Sequence, residues 1–175
     1  MVNVLNSNAS PQKIMSLDWL RSIGTRGQWR EVATQIISGS AQLPSSIEGF
    51  DTYWIEAGHK VREQIADDPK LCELLRATLP AYSGDDKTLY RGENKWRFQH
   101  GIIGLNWTTE EKVARMFASG LNAINGGGAL LRATFPAYKI IGGPNKHSIY
   151  LQEYQFTVDP PQLKLVELLE YFPQS

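Results

Sequence analysis

The 175-residue chain has one cysteine, Cys72, and three histidines, His59, His100 and His147. A lone cysteine excludes an internal disulfide. The histidines are far apart and lack HxxxH spacing, so no metal site is expected. Cys72 stands in the apolar run Leu71-Cys72-Glu73-Leu74-Leu75, where it reads as a small buried hydrophobe. Neither sign of charge is in excess: 18 basic and 18 acidic side chains cancel to a formal net charge of zero. That balance gives no support to charge-driven binding of nucleic acid or of an anionic membrane. No stretch approaches the roughly 20 apolar residues that cross a bilayer. Met1 to Ser10 have neither the basic start nor the apolar centre of a secretory signal. A cytoplasmic protein without a membrane partner is expected, one that a specialised secretion machine could deliver into another cell.

What is present is ordinary for a globular protein, with 42% hydrophobic and 21% charged residues and no internal repeat. The length favours one domain, or a core with a helical appendage. The first half is patterned as helix. Trp29, Val32, Ala33, Ile36 and Ile37 recur at three- and four-residue spacings up to Gly39, and Ser45 or Ser46 is placed to open the next helix. Tyr53, Trp54, Ala57, Val61 and Ile65 form a second apolar stripe, with Lys60, Arg62 and Glu63 largely opposite. Asp67-Asp68-Pro69 predicts a cap and a first-turn proline for a helix through Leu79. Pro80 and Ser83-Gly84-Asp85-Asp86 then break the pattern.

From Lys87 the signals become mainly β. A strand is predicted from Lys87 to Gly92, ending at the glycine, and a short apolar run spans residues 101–106. Thr108-Thr109-Glu110-Glu111 matches a capping box, with Thr108 as N-cap of a helix carrying Val113, Ala114, Met116, Phe117 and Leu121. Beyond Gly126-Gly127-Gly128, strands are predicted over residues 129–135, 139–141, 148–158 and 163–168. The expected fold class is α+β: a helical region over residues 1–80, then a mainly antiparallel β core over residues 81–175.

Three segments of the β half carry groups suited to chemistry. In Leu89-Tyr90-Arg91-Gly92-Glu93, an arginine followed by glycine can lay its planar donor fork against a phosphate; the bland alternative is a surface arginine before a turn. In Asn106-Trp107-Thr108, Trp107 offers a flat face to a heteroaromatic ring or fills the core, and the helix cap alone explains Thr108. In Glu153-Tyr154-Gln155, strand alternation puts Glu153 and Gln155 on one face and Tyr154 and Phe156 on the other. That fits a cleft wall, or an exposed strand face.

Taken in order, Tyr90-Arg91-Gly92, Asn106-Trp107-Thr108 with Ala114, Phe117 and Ala118 behind it, and Glu153-Tyr154-Gln155 before Val158-Asp159-Pro160 resemble the ADP-ribosyltransferase superfamily, in its Arg–Ser/Thr–Glu branch. The resemblance covers about half the chain, from Thr88 to Leu168. It implies a core of two small antiparallel sheets with NAD, as substrate, in the cleft between them. It places Tyr90, Arg91, Gly92, Asn106, Trp107 and Thr108 at the NAD site, with Trp96 as a further contact for nicotinamide. Glu153 and Gln155 are implied as catalytic, and a protein as acceptor of ADP-ribose. Asn106 replaces the usual serine, and Gln155 stands at the usual acid position, which makes Glu153 the first acid of the pair. An amide can bond to the ribose hydroxyl but supplies no negative charge. The expectation taken forward is a mono-ADP-ribosyltransferase that uses Glu153. The alternatives are a silent NAD-fold module that binds a partner protein, and an NAD glycohydrolase.

Overall fold

The computed structural model describes residues 17–40 and 48–175. Met1 to Ser10 and the helix start expected at Ser45 or Ser46 lie outside the described residues. The chain divides into two compact units, Met1–Pro80 and Ala81–Ser175.

The first unit is helical: α1 (Leu17–Thr25), α2 (Trp29–Ile37), α3 (Glu48–Ile65) and α4 (Asp68–Thr78). The apolar stripes read from the sequence form its core, with Trp29, Val32, Ala33, Tyr53, Trp54, Val61 and Ile65 buried. Trp29 stacks on Tyr53 at 5.5 Å and its indole N–H donates to the Tyr53 hydroxyl at 3.3 Å. A cap and proline open α4 as expected, the Asp67 carboxylate accepting from the Lys70 N–H at 2.9 Å. Cys72 is only partly buried, because α4 turns Leu71, Leu74 and Leu75 inward and leaves position 72 at the edge of that stripe.

The second unit is one six-stranded antiparallel sheet with helices, in the order β4-β5-β2-β1-β3-β6. Its strands are β1 (Lys87–Asn94), β2 (Asn106–Thr108), β3 (Gly128–Phe135), β4 (Ile140–Gly142), β5 (Gln155–Val158) and β6 (Glu167–Phe172). Helices α5 (Lys95–Gln99), α6 (Glu111–Ser119) and α7 (Lys146–Tyr150) lie between them. The expectation of two separate small sheets is therefore corrected to a single continuous one. The sheet has a waist: β1 pairs with β3 along its whole length, from Lys87↔Phe135 to Asn94↔Gly128, but meets β2 at the single pair Tyr90↔Thr108. Three strands lie on each side of that pair.

Several boundaries differ from those predicted. β1 continues two residues beyond Gly92, since Glu93 and Asn94 still pair with β3. Thr108 ends β2 and does not cap α6; Glu110 is the N-cap residue, and the Thr108 hydroxyl accepts from the Glu110 N–H at 3.0 Å. The strand predicted over residues 148–158 is α7, a turn and then β5. Asn145 caps α7, its side chain accepting from the Ser148 N–H at 2.8 Å, and Gln152 and Tyr154 take left-handed φ values of 58° and 46° that no strand accommodates. The last strand begins at Glu167, after a short 3₁₀ turn at Leu163–Leu165.

Strand alternation separates the two faces of the sheet. Leu89, Trp107, Leu131, Phe135, Phe156 and Val158 form the main buried cluster on one face. On the other, Ala114 and Ala118 of α6 pack on Leu130, flanked by Tyr90, Leu169 and Phe172. Helix α6 lies so close to the sheet that a side chain at position 92 would overlap the Ala114 carbonyl and the Ala118 N–H. The obstruction is backbone, which cannot swing aside. Gly92→Ala is expected to cost about 1–3 kcal/mol, the range of an overpacked core. Chemical denaturation should show a lower midpoint at an unchanged slope.

Candidate functional site

The motif residues gather around the waist of the sheet, at different depths. In β1, Tyr90 and Gly92 alternate with Arg91 and Glu93, so the two pairs leave opposite faces of the strand. Tyr90, Thr108 and Gln155 occupy one continuous row, being successive cross-strand partners on β1, β2 and β5. Asn106 pairs with Thr157 one step along the same face, and its side-chain oxygen accepts from the Thr157 hydroxyl at 3.2 Å. Tyr90 lies beside Arg132, its partner on β3.

Glu153 stands just before β5, in the turn made by Gln152 and Tyr154. The helical turn at Ser148 sets its position: the Ser148 carbonyl accepts from the Glu153 N–H at 2.9 Å and from the Tyr154 N–H at 3.3 Å. Although Glu153 is not in the strand, its carboxylate meets the side chain of Gln155, whose amide N–H donates to Glu153 Oε2. The carbonyl oxygen of the Gln155 side chain is buried without a partner. The acid and the amide thus form one unit at the start of β5, beside Thr108. Tyr154 lies partly exposed, not packed behind the pair, and Tyr150 and Leu151 of the preceding segment are exposed as well.

The expected contact between Trp107 and a ligand ring gives way to a core role. Trp107 is 1% exposed, its indole N–H donates to the Gly104 carbonyl at 3.0 Å, and Phe135 packs edge-on at 5.1 Å. Gly92 likewise serves the seat of α6. Trp96 of α5 is 55% exposed and stacked on His100 at 4.1 Å.

The largest electrostatic feature is one the motif reading passed over. Glu93 is 2% exposed, and four N–H groups converge on its carboxylate. Oε2 accepts from Arg91 Nε at 2.9 Å and from the Gly104 N–H at 2.8 Å. Oε1 accepts from the Asn94 N–H at 3.0 Å and from Arg97 Nε at 3.2 Å. Burial pushes the Glu93 carboxyl up, but the Arg91 charge, the two backbone donors and Arg97 together outweigh it and hold the group below its ordinary value of 4.5. Arg91 is also bound on its other side, with Nη1 donating to the Asn106 carbonyl. The signal in the sequence was the acid two residues after Arg91 in a strand, which puts both side chains on one face. The closure by Arg97 and Gly104 depends on tertiary placement.

No protein-family model, curated protein or solved structure matches this chain. The site is therefore described by its own chemistry: a carboxylate–amide pair and a hydroxyl on adjacent strands, and an arginine pinned at the waist by a buried acid. Among the described residues, no three histidine, cysteine or acidic side chains gather to hold a metal ion, and no helix is long and apolar enough to cross a membrane.

A carboxylate whose folded pKa is depressed stabilises the fold fully above its unfolded pKa, and that stability is lost as pH falls through the lower folded value. Glu93→Gln should lower stability at neutral pH by about 3 kcal/mol, the scale of breaking a buried ion pair. The difference from wild type should shrink as acid protonates Glu93. Urea unfolding between about pH 3 and pH 6 checks this; parallel curves for the two proteins would contradict the role given to Glu93.

Proposed function

We propose that the second unit is an ADP-ribosyltransferase-like core that takes NAD as substrate and transfers ADP-ribose to a protein acceptor. The observation that carries this reading is the Glu153–Gln155 pair beside Thr108. Cleavage of the nicotinamide–ribose bond leaves positive charge on the ribose, and a negative charge already in place is the usual means of stabilising it. Glu153 supplies that charge. The Gln155 amide N–H orients the carboxylate, and its buried, unpartnered carbonyl oxygen would reach a ribose hydroxyl once the pair opens. The bond from ribose C1′ to the nicotinamide nitrogen breaks with its electron pair leaving on nicotinamide. The acceptor's nucleophile then bonds to C1′ and gives up its proton, for which Glu153 is the base. The resemblance assigns Arg91 to the NAD phosphates and the exposed Trp96 to nicotinamide, although Arg91 leaves the opposite face of the sheet from Thr108 and Gln155. The helical unit at residues 1–80 has no role assigned in this reading.

A second reading is a silent module that retains the NAD fold and binds a partner protein. It is favoured by the neutral Gln155 within the strand and by Arg91 having Nε on Glu93 and Nη1 on the Asn106 carbonyl. Hydrolysis of NAD by water is the third outcome of the same site.

Purified protein incubated with labelled NAD, with and without a cell lysate, separates the three. Nicotinamide release with labelled protein is expected. Release without labelling indicates a glycohydrolase, and NAD binding without release indicates the silent module. A unit charge at about 4 Å contributes about 4 kcal/mol at an effective dielectric of 20, so Glu153→Gln should slow release on the order of a thousandfold. Full activity in that variant would remove Glu153 from the mechanism.

A further inference from the structure

Arg91 is set more firmly than a ligand-binding arginine at a strand surface needs to be. Its Nε is fixed by Glu93 Oε2 at 2.9 Å, and the same oxygen takes the Gly104 N–H at 2.8 Å, so the guanidinium and the backbone before β2 share one anchor. Its Nη1 bonds to the Asn106 carbonyl, two residues along β2 from the single ladder pair between β1 and β2. The guanidinium thus takes over the joining of the two strands where their backbone pairing stops. Gly104 lies beneath it. A side chain at position 104 would overlap Nη2, Cζ and Nε of Arg91. Gly104 is not among the residues with left-handed φ, so its backbone conformation does not call for glycine. What calls for glycine is the arginine lying across it.

We infer that Glu93 and Gly104 are positioning residues for Arg91, the carboxylate fixing one edge of the guanidinium and the bare backbone of Gly104 giving it a bed at the waist of the sheet. The two act on different parts of one group. Glu93 sets its direction through a charge-assisted bond. Gly104 sets its height by leaving the space a methyl would fill. The consequence for NAD binding rests on the reading proposed above; the positioning itself does not.

Gly104→Ala is the decisive variant, because the atoms a methyl meets are the movable end of a side chain and the fold can survive their displacement. Two measurements are made on the full chain. The first is the Nε–H resonance of Arg91, assigned by its loss in Arg91→Lys. It is expected as a distinct, slowly exchanging signal in wild type, and as shifted and fast-exchanging in both Gly104→Ala and Glu93→Gln. The second is NAD titration of wild type, Gly104→Ala, Arg91→Ala and the double variant. Gly104→Ala should weaken NAD binding about tenfold or more in wild type, yet add nothing once Arg91 is alanine, as for residues acting through one group. An unchanged resonance in Gly104→Ala, or an effect on binding that persists without Arg91, overturns the inference. If wild type binds no NAD while the resonance behaves as stated, the positioning stands and the dinucleotide reading falls. Should Glu93→Gln fail to fold, Gly104→Ala still decides.

Discussion

The β unit depends on one buried charge. A carboxylate almost fully removed from water is costly unless every lone pair is answered, and Glu93 is answered by two guanidinium groups and two backbone N–H groups. Its partners come from β1, from α5 and from the segment leading into β2. Asn94 caps α5 and the segment after α5 bonds back to it, but β1 and β2 have a single ladder pair. The carboxylate thus supplies, through Arg91 and Gly104, a connection that the backbone alone leaves thin. A group with four donors has few alternative arrangements, which is why a short strand such as β2 can hold a defined place.

The waist also determines what a functional site there can be. On the side of β5, a neutral amide and a carboxylate meet beside a buried threonine. On the side of β1, an arginine is held in place by an acid. Charge is present on both sides but is already partnered, so a ligand entering here exchanges existing hydrogen bonds for new ones and does not simply fill empty donors. The face under α6 is closed by packing, since Gly92 and Gly128 let the helix backbone approach to contact. Tyr90, Thr108 and Gln155 are aligned on that side of their strands, and Arg91 is not.

Most of the element types were legible in the sequence. The period-3.6 stripes of α2 and α3, the Asp67–Pro69 start of α4 and the apolar run of β3 follow from local rules that the structure obeys. The failures share a cause. Thr108 satisfies the capping pattern, but the strand pairing Thr108↔Gln155 holds it in the sheet and moves the helix start to Glu111. Residues 148–158 alternate like a strand, but a capped turn at Asn145 and two left-handed residues interrupt them. Trp107 has the composition of a ligand contact and the burial of a core residue. In each case local pattern was compatible with two outcomes, and long-range contact chose between them.

From the residues alone came the helical and β halves, the alternation that puts Arg91 with Glu93 and Thr108 with Asn106, and the neutral residue at position 155. These follow from short-range geometry, which a chain carries wherever it goes. Only the folded chain decided that the strands close into one sheet with a single-pair waist, that Glu93 gathers Arg97 and Gly104 as well as its neighbour, and that Glu153 reaches Gln155 from a turn. Each of those requires segments distant along the chain to share a burial site, and the cost of leaving a buried polar group unanswered is what selects their arrangement.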